Sequence, residues 1–158
     1  MKNLQHKVWH NPIYFIAFGF GSGLSPFAPG TCGTIAAIPL YLLLSCFNWP
    51  IYLSVTILAF ILGVIVSEIV SRELGLHDYK GIVWDEVVGF LLTMFLLPRS
   101  ILFIILGFLL FRFFDILKPF PIRLIDEKLQ GGLGVMLDDI LAAVFAWIVL
   151  QIIRYYLL

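Results

Sequence analysis

Five apolar stretches, at roughly 34–48, 51–71, 82–97, 101–118 and 138–157, take up most of the chain. At 1.5 Å per residue the longer ones reach about 30 Å, the thickness of a bilayer's hydrocarbon core. Stretches 34–48 and 82–97 are short for tilted spans and require bilayer thinning or help from their flanking loops. Of the 158 residues 61% are hydrophobic and 13% charged, where a soluble domain carries about 25% charged residues. A domain of ~150 residues buries only about two-thirds of its unfolded surface, too little to hide this much apolar area from water. The expected fold class is an all-α membrane protein, a compact bundle of about five transmembrane helices forming a single domain over residues 1–158. Residues 13–24, IYFIAFGFGSGL, are too short and glycine-rich to span, so an N-terminal interfacial or re-entrant segment is expected there. The basic start followed by this broken apolar stretch lacks a small-residue cleavage site and reads as retained.

The connections alternate in character. Phe47-Asn48-Trp49-Pro50 and Leu97-Pro98-Arg99-Ser100 are short and contain the helix breaker proline. Segments 21–33, 72–84 and 119–137 are long and polar, and five spans put all three on one side. Lys2, Lys7, Arg72, Lys80, Lys118, Arg123 and Lys128 fall on that side, against Arg99 and Arg154 on the other. By the positive-inside rule the long loops of this multi-pass chain face the cytoplasm. All the acidic residues fall on the same side or in the adjoining helix ends. Net charge is zero, so nothing suggests a nucleic-acid partner. Cys32 and Cys46 have neither zinc-site spacing nor the pattern of a disulfide framework. Oligomeric state leaves no mark in the sequence.

Three acidic sites interrupt apolar sequence: Asp85-Glu86, Asp115 and Asp138-Asp139. An ionised carboxylate at a membrane edge is costly unless paired, hydrated or metal-bound. Helix capping accounts for Asp138, and equally for Asp85, since Asp is a preferred N-cap. It fails for Asp115, which lies near a helix C-terminus, and for the second member of each doublet. Arg112 and Lys118, three residues to either side of Asp115, offer local pairing, so a structural ion-pair network is an alternative. Convergence of the carboxylates explains more. Hard oxygen ligands suit Mg²⁺, which commonly shares its shell with a phosphate. Arg112, Lys118 and Arg123 can neutralise phosphoryl oxygens. The loop Gly21–Thr31, with Ser25 and Gly30, can turn backbone N–H groups toward an anion. It does not have the P-loop pattern. A second glycine cluster, Gly131-Gly132-Leu133-Gly134, supplies a tight turn into Asp138. His77 reads as a solvated loop residue, with leaving-group acid as its alternative role.

The strings FGSGLSPFAPGTCGT, HDYKGIVWDEVVG, FRFFDILKPFPIR and GGLGVMLDDILAA occur in this order. Together they resemble the bacterial phosphatidylglycerophosphatase A family over nearly the whole chain, with mild departures at Thr34 and Val135. The resemblance implies a Mg²⁺-dependent inner-membrane enzyme that converts phosphatidylglycerophosphate to phosphatidylglycerol in the cytoplasmic leaflet. It places functional weight on Asp85, Glu86, Asp115, Lys118, Asp138 and Asp139, followed by Arg112, His77, Asp78 and Thr31. Only the resemblance promotes Thr31 and the His77-Asp78 pair.

The expected chemistry is metal-assisted hydrolysis. Asp85, Glu86, Asp115, Asp138 and Asp139 are the metal ligands, with Glu86 or Asp139 as general base. Arg112, Lys118, Arg123, Thr31, Ser25, Gly30 and His77 are the phosphate-binding set. The DxDx[TV] motif of aspartyl-phosphate enzymes and the histidine-phosphatase motif set are both absent. A small magnesium transporter is the rival from another class, because intramembrane acids also mark ion paths. A structural scaffold would leave the acidic doublets unexplained.

Overall fold

The computed structural model describes residues 2–76 and 79–157, which form eight α-helices and no strand. They are α1 (Lys2–His10), α2 (Pro12–Ala17), α3 (Pro29–Leu44), α4 (Trp49–Leu74), α5 (Trp84–Thr93), α6 (Ile101–Leu117), α7 (Ile122–Lys128) and α8 (Gly131–Leu157). A 3-10 turn at Ser22–Leu24 links α2 to α3.

The short connections also supply helix caps. Asn48 Oδ1 accepts the Ile51 N–H at 3.4 Å to start α4, with Pro50 in the first turn, where its missing donor costs nothing. Ser100 Oγ accepts the Phe103 N–H at 3.2 Å to start α6. Gly75, with φ +64°, ends α4 in the left-handed conformation that a glycine adopts without strain. The α8 N-terminus is capped from a distance. Glu68 of α4 accepts the Gly132 N–H at 2.6 Å, and a Cβ on Gly132 would lie 2.1 Å from the Val64 carbonyl oxygen.

The long α8 packs on α4, α5, α6 and α7, while α5 is wedged among α3, α4, α6 and α8. The main core is apolar and runs through Tyr41, Val87, Phe90, Met94, Phe111, Met136 and Leu150. Residues 13–24 pack against the bundle. Tyr14, Ala17 and Phe18 are fully buried, α2 packs on α1 and α4, and the Tyr14 hydroxyl donates to Glu73 at 2.8 Å.

All five apolar stretches are helical, but they are not clearly five spans. Only α4 and α8, of 26 and 27 residues, are long and apolar enough by length and composition to cross a membrane. The 82–97 stretch is corrected most. Its helix α5 has 10 residues, about 15 Å of rise, and all of them but Glu86 and Leu92 are buried. It is short because the backbone turns at Met94 and passes through a left-handed Leu96 before Pro98. α3 and α6, at 16 and 17 residues, are intermediate. α8 begins seven residues before the apolar stretch at 138–157, its first turn holding three glycines that carry little hydropathy signal. The glycine cluster is therefore the first turn of α8, not a separate turn ahead of Asp138. Asp138 sits in the third turn and is not an N-cap.

Apolar side chains also face outward. On α4 only 28% of the most apolar window is buried, and Ile57, Leu58, Ile61 and Ile65 are each half-exposed or more. Ile101, Ile105, Leu109, Phe113 and Ile116 do the same on α6. The core helix of a water-soluble protein would be mostly buried, so this belt and the two long helices are consistent with a membrane protein.

Candidate active site

The chain directions bring the N-termini of α3, α5 and α8 together with the C-terminus of α6 at one end of the bundle. There a small cavity of ≈ 220 Å³ is lined by Ala28, Pro29, Gly30, Lys80, Ile82, Asp85, Glu86, Arg112, Asp115, Lys118, Asp138 and Asp139. Asp85 and Glu86 occupy the first turn of α5, where the helix dipole favours anions. Asp115 lies in the last turn of α6, where the dipole opposes it, and the Arg112 guanidinium three residues earlier pairs with it. Asp138 and Asp139 are consecutive on α8 and so diverge by about 100° around its axis. Asp138 meets Lys118 at 2.6 Å, while Asp139 lies beside Asp115.

Oxygen atoms of Asp85, Glu86 and Asp139 all lie within 4.8 Å of one another, a separation that one cation can bridge. Asp85 is 8% exposed, Asp138 7% and Asp139 2%. Glu86 Oε2, Asp138 Oδ1 and Asp139 Oδ2 are buried without a hydrogen-bond partner among the described residues. Buried carboxylate oxygens left this way are expensive, and a cation is the natural complement for a set made only of hard oxygen donors. The residues present therefore fit a metal ion.

The cationic side chains have two different arrangements. Arg112 Nη1 pairs with Asp115 and lies 3.7 Å from Glu86, while Arg112 Nε is buried and makes no hydrogen bond. Lys118 ends α6 with a left-handed backbone, φ +42°. Its ammonium bonds Asp126 at 2.8 Å and Asp138 at 2.6 Å. The pairing of Asp115 is thus with Arg112 alone, and Lys118 links α7 to α8. Burial by itself would lower the Lys118 pKa, but the bonds to Asp126 and Asp138 outweigh it and hold it above the ordinary lysine range.

Gly30 is pressed against this machinery. A Cβ there would lie 2.1 Å from Glu86 Oε1 and 3.1 Å from both terminal nitrogens of Arg112. Other expected residues lie elsewhere. Ser25 lines a neighbouring hollow, with its hydroxyl on the Phe27 carbonyl at 2.7 Å. Thr31 is half-buried and does not line the cavity. Arg123 is exposed and pairs along α7 with Glu127 at 2.8 Å. His77 and Asp78 lie outside the described residues. Lys80 lines the cavity though it is not among the expected site residues, and Asp126 holds Lys118 from α7. Lys80 stands five residues before Asp85 inside the HDYKGIVWDEVVG string, and that proximity was the available signal.

The transport alternative finds no support in this arrangement. The acids converge at one end, and the described residues at the other end include Arg99 and Arg154 but no acid.

A profile of the Phosphatidylglycerophosphatase A family matches residues 15–154. The chain is 49% identical over 150 residues to Phosphatidylglycerophosphatase A of Haemophilus influenzae, covering 94% of this chain and 92% of that protein. It is 41% identical over 147 residues to the Escherichia coli protein of the same name, covering 92% and 86%. A Bacteroides thetaiotaomicron relative, 38% identical over 149 residues with 89% and 92% covered, is provisionally named a phosphatidylinositol-3-phosphatase. No solved structure matches the chain significantly. On the family profile and on the identity to these relatives along most of both chains, the chain belongs to the phosphatidylglycerophosphatase A family.

Proposed function

We propose that the acidic cavity hydrolyses the terminal phosphate monoester of phosphatidylglycerophosphate, giving phosphatidylglycerol and phosphate for phospholipid biosynthesis. The observation that carries this is the meeting of three largely buried carboxylates within 4.8 Å with a guanidinium whose Nε makes no hydrogen bond. One group is built for a cation and the other for an anion, as a metal–phosphate pair requires. The whole chain serves as a single phosphatase domain.

Asp85, Glu86 and Asp139 would hold Mg²⁺, with Asp115 and Asp138 completing the acidic shell. Bound Mg²⁺ supplies charge neutralisation at the phosphoryl oxygens and lowers the pKa of a coordinated water. Arg112, whose Nε makes no hydrogen bond, receives the phosphate, and Lys118 adds positive charge from the α6 end. Glu86 or Asp139, each with an oxygen lacking a hydrogen bond, takes the proton of the attacking water. The water oxygen bonds to phosphorus, the phosphorus–oxygen bond to glycerol breaks, and the proton that the carboxylate took passes to the leaving alcohol. Gly30 keeps the wall opposite Glu86 open.

The same reading assigns the chain to the inner membrane as a multi-pass protein, with the acidic end toward the cytoplasm. The excess of Lys and Arg at that end supports this orientation. Asp138 lies seven residues, about 10 Å, along α8 from Gly131. The site is therefore set in from the helix end, at a depth suited to a headgroup.

Purified protein in detergent micelles should release phosphate from phosphatidylglycerophosphate with Mg²⁺ and stop when the metal is chelated. Asp115→Asn and Asp139→Asn should each lower kcat by at least about a hundredfold, the scale of losing one pre-organised electrostatic contact. Full activity of Asp115→Asn would remove the assignment.

A further inference from the structure

Beside the acid cavity lies a larger hollow of ≈ 530 Å³ with mainly apolar walls, among them Leu4, Phe18, Leu24, Leu76 and Tyr79. Pro29 and Lys80 belong to the walls of both spaces, so Lys80 stands on the partition between them. The root of this side chain is well fixed. The Tyr79 ring packs on Phe18 with centroids 5.9 Å apart, and the Ile82 N–H donates to the Tyr79 carbonyl at 2.8 Å. The Val83 N–H then ties the segment to the Ala17 carbonyl at 2.9 Å. Lys80 itself is exposed and makes no ion pair with a described residue. It differs in this from Arg112 and Lys118, which are committed to carboxylates of the acid cavity.

The lipid assigned above carries two phosphates. The terminal monoester is the one hydrolysed. A three-carbon glycerol bridge separates it from the phosphodiester that joins the headgroup to diacylglycerol. A monoester seated among the carboxylates places that second anion at the mouth of the acid cavity, on the side of the apolar hollow. We propose that Lys80 binds the internal phosphodiester and so selects a lipid with two phosphates, with the apolar hollow giving room for the diacylglycerol end. The assignment rests on the phosphatase reading. Lys80 is a specificity residue here and takes no part in bond breaking.

The product gives a clean probe, because phosphatidylglycerol keeps the phosphodiester and has lost the monoester. Inorganic phosphate mimics the monoester alone. Wild type, Lys80→Met and Lys80→Arg are compared in mixed micelles with Mg²⁺. Lys80→Met should raise KM for phosphatidylglycerophosphate and the inhibition constant of phosphatidylglycerol by about tenfold, the worth of one charge-assisted hydrogen bond. It should leave kcat and the inhibition constant of inorganic phosphate unchanged. Lys80→Arg, which keeps the charge, should recover most of the loss. A parallel rise for inorganic phosphate would mean that Lys80 serves the monoester, and an unchanged constant for phosphatidylglycerol would mean that it binds neither. Either result overturns the proposal. Absence of wild-type phosphate release would instead overturn the phosphatase reading, and this inference with it.

Discussion

Arg112 and Gly30 lie against each other in the wall of the acid cavity, and each is intelligible only through the other's surroundings. Arg112 sits on the largely apolar helix α6 and is tolerated there because Asp115 is one turn away and Glu86 approaches from α5 at 3.7 Å. Gly30, at the start of α3, leaves the space that Glu86 and Arg112 fill. Gly30→Ala should therefore displace the Glu86 carboxylate with little effect on folding. Phosphate release should fall about a hundredfold, the usual penalty for an ångström-scale misplacement of a reacting group, while the thermal midpoint stays near wild type. A large drop in the midpoint with normal specific activity would contradict this. Asp115 was legible in the sequence as a carboxylate that capping cannot explain, and its Arg112 partner was readable from the three-residue spacing. The partner of Lys118 was not. The same spacing pointed to Asp115, and only the left-handed backbone at the end of α6 sends the ammonium to Asp126 and Asp138 instead.

At the scale of elements, the packing of α8 against α4 sets the depth of the two acids on α8. The contact is backbone to backbone at Gly132, where an added Cβ would meet the Val64 carbonyl oxygen at 2.1 Å. Gly132→Ala should cost about 1–3 kcal/mol, the usual penalty for overpacking a tight contact. The loss would be read as a lower denaturation midpoint in micelles. It should also reduce activity by shifting Asp138 and Asp139 along the site, and an unchanged midpoint would show that α8 is not held there. Hydropathy found α8 but began it at 138, so Asp138 looked like a cap. Glycines add nothing to an apolar count, yet here they form the helix start that Glu68 caps from α4. The α5 segment misled in the opposite way. Its apolar run is as rich as a membrane span, because a helix surrounded by four others must be apolar on every face.

For the molecule as a whole, the two cysteines report orientation. Cys46 is exposed at the end that carries the short connections, and Cys32 is half-buried in the first turns of α3 at the acidic end. With the acidic end in the cytoplasm, a membrane-impermeant thiol reagent should label the Cys32→Ser variant in sealed right-side-out vesicles. The Cys46→Ser variant should stay unlabelled there. Labelling of Cys46 only in inside-out vesicles would invert the orientation. The outward belt of Ile and Leu on α4 and α6 is the reason to expect a sealed lipid barrier between these two ends.

The helical class, the apolar burden, the grouping of the described acids toward one end and the motif order that marks the family were readable before any helix was packed. These depend on residue type and spacing along the chain, which physical chemistry reads locally. The tertiary structure decided which carboxylates converge, that α5 is a buried wedge rather than a clear span, and that Lys80 joins the site from a neighbouring wall. Such facts depend on helix lengths, on backbone contacts at glycine and on where each helix ends relative to its neighbours. None of these leaves a signal in composition or periodicity, because each is a relation between residues far apart in the chain.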